Sequence, residues 1–536
     1  MSARSILWLL PAGFFCVFFL YPLATLIVTA LSGAGAAGAS GLVTPAIGSV
    51  LWFTVWQALL STLLTVLIGL PGAAVLARFR FPGRGVVEAL SVVAFVMPTV
   101  VVATAVSAVL APTGPLGWVL PAGADRGLGA ILAAHVYFNL AVVLRMVGAY
   151  WAQLDQRQEQ AAACLGAGPW RVFRTVTLPR LSPALASAAA IVFLFTFTSF
   201  GIILLLGLPG QATVEVEIQR QALFLFNLPL AAALSLLQIA VVAVLLVVQV
   251  RLTRRLASAD PSTAGRLRTP RTAGERWVVA VFVSVAAVVL AGPVAMVVAR
   301  AFQVGQGWGL ANFTRLDTSR ADSVLFVSPA TAVANSLAYA AAAAVIATVI
   351  GGVVAWLVSS GTGRWRGWDS LLLLPLGVSA VALGFGILIA FDTPPLNWRA
   401  SFWMVPVAQA LIAIPFVVRA LIPALEAIGP RVRQSAAALG AGPLQILWRV
   451  ELPMVWRALV VSLGFAFAIS LGEFGATLFV ARGDHPTVPI AIYRLLGTPG
   501  AANQGQAMAL ATILIVVTAA AVLLTERWRR PGASHV

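Results

Sequence analysis

The side chains able to do covalent or metal chemistry are few and scattered. The chain of 536 residues holds three histidines, His135, His485 and His535, and no HxxxH or HExxH spacing. Its two cysteines are Cys16, in an apolar run, and Cys164, in a polar loop, so neither a disulfide framework nor a metal site is expected. All 34 basic residues are arginine. Without lysine there is no Walker A loop and no Schiff-base or pyridoxal phosphate chemistry. Any ATP-driven step must be supplied by a partner. Glu473 lies inside an apolar stretch, where a carboxylate is costly and usually faces a cavity or a partner group. It reads either as a group lining a path or as a structural carboxyl bonded to nearby backbone. His135 and Asn139 share one helix face, and helix–helix hydrogen bonding is the favoured role. Glu215 and Glu217 fall between apolar stretches and are expected to be solvated or to meet an outer partner. Gly351, Gly352, Gly384 and Gly386 are expected to permit close helix packing.

The elements that position these groups are set by composition. The chain is 60% apolar and 10% charged. A soluble chain is about half apolar and a quarter charged, so a soluble enzyme, a disordered chain and a nucleic-acid reader are all excluded. A spanning helix needs roughly 20 apolar residues. Twelve stretches qualify: 6–30, 51–77, 86–110, 128–150, 183–207, 228–250, 277–301, 331–358, 369–391, 401–425, 457–480 and 506–525. The first is too long for a cleaved signal and reads as a retained helix. With the N-terminus in the cytoplasm, 26 arginines fall on or next to the cytoplasmic side and 8 on the other. That split follows the positive-inside rule, so the basic excess is topology and no nucleic-acid partner is expected. Both termini are expected inside. The polar segment 251–276, with seven arginines, reads as a linker between a first half, 1–250, and a second, 277–536.

The halves repeat each other. Gln160-Ala-Ala-Ala-Cys-Leu-Gly166-Ala-Gly168-Pro169 recurs as Gln434-Ser-Ala-Ala-Ala-Leu-Gly440-Ala-Gly442-Pro443, an offset of 274. Pro179 and Pro453 follow at equal distances, and the same offset pairs Arg145 with Arg419 and Phe200 with Phe474. Gly69 pairs with Gly351 at 282. Two halves of like orientation are parallel repeats related by an axis along the membrane normal, with a path between them. The fold class is therefore an all-α polytopic membrane protein of about twelve helices in two parallel six-helix halves. Each repeated loop is expected to be a short helix, ended by its glycines and proline, and a second helix running to the Leu-Pro pair, where the chain turns into the bilayer. A compact helix of small residues can seat in another protein's groove.

These loops resemble the Glu-Ala-Ala loops of ABC importer permeases. Gln160, Ala161, Ala162, Gly166, Val176, Leu178 and Pro179 fill the family's positions, and Gln434, Ser435, Ala436, Gly440, Val450, Leu452 and Pro453 fill them again. Gln replaces the usual Glu in both copies. The resemblance, to type I permeases with two fused halves, implies that Gln160, Ala161, Ala162, Gly166, Gly168, Pro179, Gln434, Ser435, Ala436, Gly440, Gly442 and Pro453 form two coupling elements. It implies two copies of an ABC ATPase subunit carrying ATP and Mg, an extracytoplasmic solute-binding protein, a bacterial inner-membrane location, and no cofactor or catalytic residue on this chain. Glu473, Phe200 and Phe474 are the candidate translocation-path residues. The segments Phe197-Thr-Ser-Phe200-Gly201 and Pro209-Gly210-Gln211-Ala212-Thr213-Val-Glu215 look thiamine-like, which favours thiamine or a thiamine phosphate, with ferric iron next. An ion-gradient-driven secondary transporter and a polytopic membrane enzyme are the alternatives. The first would need more intramembrane charges than Glu473. The second would need an acidic cluster beyond the Asp317 and Asp322 of loop 302–330.

Overall fold

The structure, a computed structural model, describes residues 3–32, 41–257, 267–318, 324–360, 378–392, 396–399 and 401–529. Backbone amides in a bilayer must be satisfied within the segment, and these apolar stretches do so as helices. Ten helices among the described residues are long and apolar enough to cross: Leu7–Ser32, Pro45–Arg78, Leu128–Gln153, Pro169–Phe197, Leu228–Leu252, Ala273–Phe302, Pro329–Ser359, Met404–Glu426, Pro443–Leu471 and Ala501–Thr525. The only described strands are Gln303–Val304 and Gly307–Trp308, a minimal hairpin.

The third expected span is not one rod. Arg84–Val96 and Thr99–Leu110 meet at 111°. Pro98 is the cause: it lacks an amide proton and drives Met97 out of helical backbone, to ψ 139. The pair still runs from one end of the helix Ala273–Phe302 to the other. The amide of Arg80 donates to the Arg268 carbonyl, 2.9 Å, just before Ala273–Phe302 begins. At the far end of that helix, Arg300 donates to the Ala108 carbonyl, 3.1 Å, and to Thr113 Oγ1, 2.9 Å. The ninth expected span, 369–391, lies partly outside the described residues. Its described part is the helix Ala380–Ala390, capped by Ser379, whose Oγ accepts from the Ala382 amide at 3.1 Å.

The fifth and eleventh spans also depart from expectation. Each begins earlier, at Pro169 and at Pro443, and the chain does not turn at Pro179 or Pro453. A wide π-type turn, Phe173–Thr177 and Leu447–Glu451, stands before the Leu-Pro pair in each copy. The extra residue in such a turn relieves the proline's clash with the preceding carbonyls, so the helix bends and continues.

The duplication is visible in contacts. A Cβ on Gly69 would lie 2.7 Å from Val143 Cγ1, and one on Gly351 would lie 2.9 Å from Val417 Cγ1. Both glycines therefore let the second helix of each half press against the fourth. The first helix of each half leans on the other half: Tyr21–Ser32 packs on Ala380–Ala390, and Ala273–Phe302 packs on Thr99–Leu110. The outward faces carry exposed Trp52, Leu59, Leu63, Trp277, Val281 and Val288, as lipid-facing surfaces do.

Gly384 sets a close backbone approach between two helices of the second half, since a Cβ there would meet Ala476 Cα at 2.5 Å. Gly384→Val is expected to destabilise by about 1–3 kcal/mol or more through overpacking. Gly48→Ala, with nothing within 4 Å, should be neutral. Thermal unfolding of the purified chains in detergent checks the pair, and equal midpoints would refute the packing assignment.

Candidate functional site

The repeated loops share one face of the molecule. Each is a short exposed helix, Arg157–Cys164 and Pro430–Ala438, followed by a glycine with φ +84, Gly166 and Gly440. Only glycine adopts that left-handed backbone without strain. It closes the helix end in the same way twice: the amide of Ala167 donates to the Ala162 carbonyl, and that of Ala441 to Ala436, both 3.1 Å. Gly168 and Gly442 are instead extended and precede Pro169 and Pro443, the first residues of the next helix. Gln160, Ala161, Gln434 and Ser435 are exposed, while Ala162 and Ala436 are half-buried. Pro179 and Pro453 are exposed at the base of the long helices. At the loop tips Leu165 is 89% and Leu439 88% exposed. Two large apolar side chains are thus held out at equivalent points, with open space beside Gly166 and Gly440.

Each loop is tied to the bundle by a carboxylate, with opposite polarity. In the first half, Glu159 on the short helix accepts from Arg78 Nη2, 2.8 Å, and from Thr177 Oγ1, 2.6 Å. In the second, Arg433 on the short helix donates from Nε to Glu451, 2.5 Å, and Trp356 Nε1 donates to the same carboxylate, 2.5 Å. Residues 159 and 433 are equivalent, as are 177 and 451. The three-way joint of short helix, wide turn and second helix is thus built twice with its charges exchanged. Sequence reasoning missed this joint, formed by Glu159, Arg78 and Thr177 in one half and by Arg433, Trp356 and Glu451 in the other. The complementary change at the two offset positions was the available signal.

Phe200 and Phe474 stack at 5.4 Å and 24°, at the ends of helices that rise from the two loops. Gln219 and Tyr493, also 274 apart, lie against each other. A residue that touches its own equivalent lies beside the two-fold axis, so the axis passes through both contacts. Behind the rings each fourth helix contributes a polar group. His135 Nδ1 bonds Ser61 Oγ and its Nε2 bonds Ser199 Oγ, both 2.9 Å. The equivalent Gln409 donates to Thr477 Oγ1, 3.4 Å. Glu473 accepts from the amides of Ala476, 2.8 Å, and Thr477, 2.9 Å, and from the Thr477 hydroxyl. Its carboxylate therefore caps the helix Gly475–Val480.

Glu215 and Glu217 are not solvated; they are 1% and 3% exposed. Glu215 accepts from Gln238, 3.1 Å, and lies beside Ser379 of the other half. Glu217 accepts from Gln221, 2.6 Å. The partners of Glu215 come from distant segments, so composition of the local stretch gave no sign of its burial, while Gln221 lies one turn along the same helix as Glu217. Between the rings and the loop-bearing face lies a cavity of about 480 Å³, lined from both halves by Arg145, Thr198, Gln249, Ser379, Phe416 and Arg419 among others.

Removing Glu451 strips acceptors from Arg433 and Trp356. Glu451→Ala is expected to cost about 2–3 kcal/mol. Glu159→Ala should cost about 1 kcal/mol, because Arg78 keeps water contact. Limited trypsin digestion should nick Glu451→Ala faster at Arg431 and Arg433, and equal nicking of both variants would contradict the joint.

Comparison with known proteins places this geometry. The model of the binding-protein-dependent transport system inner membrane component matches twice, over residues 65–258 and 347–530. The probable ABC transporter permease protein y4fN of Sinorhizobium fredii is 25% identical, over 91% of this chain and 89% of its own length. The thiamine transport system permease protein ThiP of Brucella abortus is 30% identical, over 89% and 86%. The molybdenum transport system permease protein ModB of Escherichia coli is 32% identical over 36% of this chain and 91% of its own.

Proposed function

The chain belongs to the family of binding-protein-dependent transport system inner membrane components, as an ABC importer permease with both halves fused, and on that premise we propose that its two exposed loops are coupling helices for two ATP-hydrolysing subunits. It is a multi-pass inner-membrane transport subunit, not an enzyme. Members of this family work with ATPase and solute-binding partners.

The observation that carries the reading is the duplicated loop with its left-handed glycine and outward leucine. In the proposed cycle, Gln160, Ala161, Ala162, Gly166, Gly168, Pro179 and their counterparts Gln434, Ser435, Ala436, Gly440, Gly442, Pro453 form the contact with the motor subunits. ATP and Mg reside on those subunits. Motion enters through the joints at Glu159 and Glu451 and passes along Pro169–Phe197 and Pro443–Leu471. The Phe200–Phe474 stack at their ends parts, and solute delivered by a binding protein on the far face enters the cavity beneath. Glu473 holds the backbone break that carries Phe474. The loop-bearing face is cytoplasmic in this reading, as are both termini, and the halves are 1–250 and 277–536 with a cytoplasmic linker at 251–276.

For cargo, thiamine or a thiamine phosphate is the first reading, supported by the thiamine relative that matches across both halves. Ferric iron was the next expectation from sequence. A molybdenum oxyanion is a further reading, supported by the relative that matches one half.

Leucine at φ +84 costs about 1–2 kcal/mol and fills the open side of each loop. The double variant Gly166→Leu/Gly440→Leu is expected to insert normally but lose at least about tenfold of ATP-dependent uptake, a barrier change of ~1.4 kcal/mol. Co-purification with the ATPase and uptake in proteoliposomes measure this. Undiminished uptake, or uptake by wild type without any ATPase, would return the reading to a secondary transporter.

A further inference from the structure

We propose that His135 is a positioning residue of the gate: its ring fixes the backbone break that carries Phe200 and so holds the Phe200–Phe474 stack closed. The inference deepens the importer reading and rests on it only for the part the stack plays in transport.

The imidazole is used at both nitrogens. His135 sits on the helix Leu128–Gln153, about 10 Å in from its start, and is 1% exposed. Its Nδ1 lies 2.9 Å from Ser61 Oγ, and its Nε2 lies 2.9 Å from Ser199 Oγ. In a neutral imidazole one nitrogen donates and the other accepts, so either tautomer satisfies both bonds. The bond to Ser61 joins two spanning helices, as polar groups in a bilayer commonly do. The bond to Ser199 has a different effect. Ser199 lies past the end of Pro169–Phe197 and before Gly201–Leu206 begins, in the turn 198–200. A buried ring on a spanning helix therefore grips the chain where the helix has stopped. Thr213 Oγ1 donates to the Ser199 carbonyl from another side, 3.4 Å.

The equivalent break shows why the first half needs a separate anchor. Position 199 is matched by Glu473, whose two oxygens take the amides of Ala476 and Thr477 and fix that break from within. Ser199 has a single short hydroxyl, which cannot bond two amides with two oxygens, and that hydroxyl is engaged by His135. The stiffness comes from outside, by way of the fourth helix. Small displacements matter here. A Cβ on Gly201 would lie 2.5 Å from Thr99 Oγ1 and 3.3 Å from Phe474 Cδ1. The break is thus packed against the bent third span and the opposing ring at once. Freeing Ser199 lets Phe200 swing off Phe474.

The test uses the full chain in nanodiscs with Cys16→Ser, Cys164→Ser, Phe200→Cys and Phe474→Cys. A two-carbon bis-methanethiosulfonate linker reports whether the two positions face each other, and labelling by a monofunctional reagent corrects for access. His135→Leu is expected to lower the corrected cross-linking by about fivefold, the population change for one net hydrogen bond. His135→Gln should keep most of it, because an amide of that length serves the same place in the second half, where Gln409 reaches Thr477. Asn139→Leu is the control. Asn139 is equally buried and donates to the His135 carbonyl within its own helix, 3.0 Å. Its loss should leave cross-linking unchanged, whatever it does to the thermal midpoint. Equal cross-linking in His135→Leu and the parent, an equal fall in the leucine and glutamine variants, or an equal fall in Asn139→Leu overturns the proposal.

Ser199→Ala removes the same bond from its other end with a smaller change, and serves where His135→Leu does not fold. It should lower cross-linking by a similar factor, and the two substitutions together should do no more than either alone. Losses that multiply, or an unchanged Ser199→Ala, overturn the assignment. Failure of the importer reading appears elsewhere, as ATP-independent uptake, and would leave these factors unmoved.

Discussion

A duplicated sequence folded about one axis must bring some residues against their own copies. Phe200 on Phe474 and Gln219 on Tyr493 are those contacts. The ring stack is the point from which the remaining geometry follows. Each ring stands just past the end of a long helix, so each helix must stop there, and its backbone must be satisfied within the bilayer. In the second half Glu473 supplies both carboxylate oxygens to the next turn's amides. In the first half the equivalent Ser199 bonds His135 instead. The same break is stabilised by two different chemistries, each fed from the same position of a fourth helix, His135 or Gln409.

The opposite ends of those helices carry the loops, and there too the halves solve one problem twice. In the proposed coupling, each loop must be joined stiffly to what it moves. The joint is a buried or half-buried ion pair across short helix, wide turn and second helix. Exchanging its polarity between the halves, Glu159 with Arg78 and Arg433 with Glu451, keeps the mechanical connection and changes the local surface charge.

Much of this was readable before any coordinates. The repeat is a matter of identity at fixed spacing, and Gly166 and Gly440 announce a left-handed turn by their type and place. Most of the spans follow from apolar length: ten of the twelve expected stretches are long apolar helices among the described residues. Other features escaped because they depend on partners far along the chain. Hydropathy counts residues in a span but not its direction, so the 111° bend at Pro98 was hidden. Leu-Pro reads locally as a stop, and only the wide turn before it lets the helix continue. Glu215 looks like a loop carboxylate until Gln238 and Ser379 are brought to it.

The exchange of first helices has its own consequence. Because Tyr21–Ser32 rests on the second half and Ala273–Phe302 on the first, each half is embraced by an arm of the other. Pivoting of the bundles in the proposed cycle would carry the arms crosswise. The outer wall facing the lipid can stay closed while the centre opens, much as crossed scissor blades remain pinned as they spread. A half severed from its sibling would lose that arm and expose the Thr99–Leu110 or Ala380–Ala390 surface it covers, which gives joining both halves in one polypeptide a structural rationale.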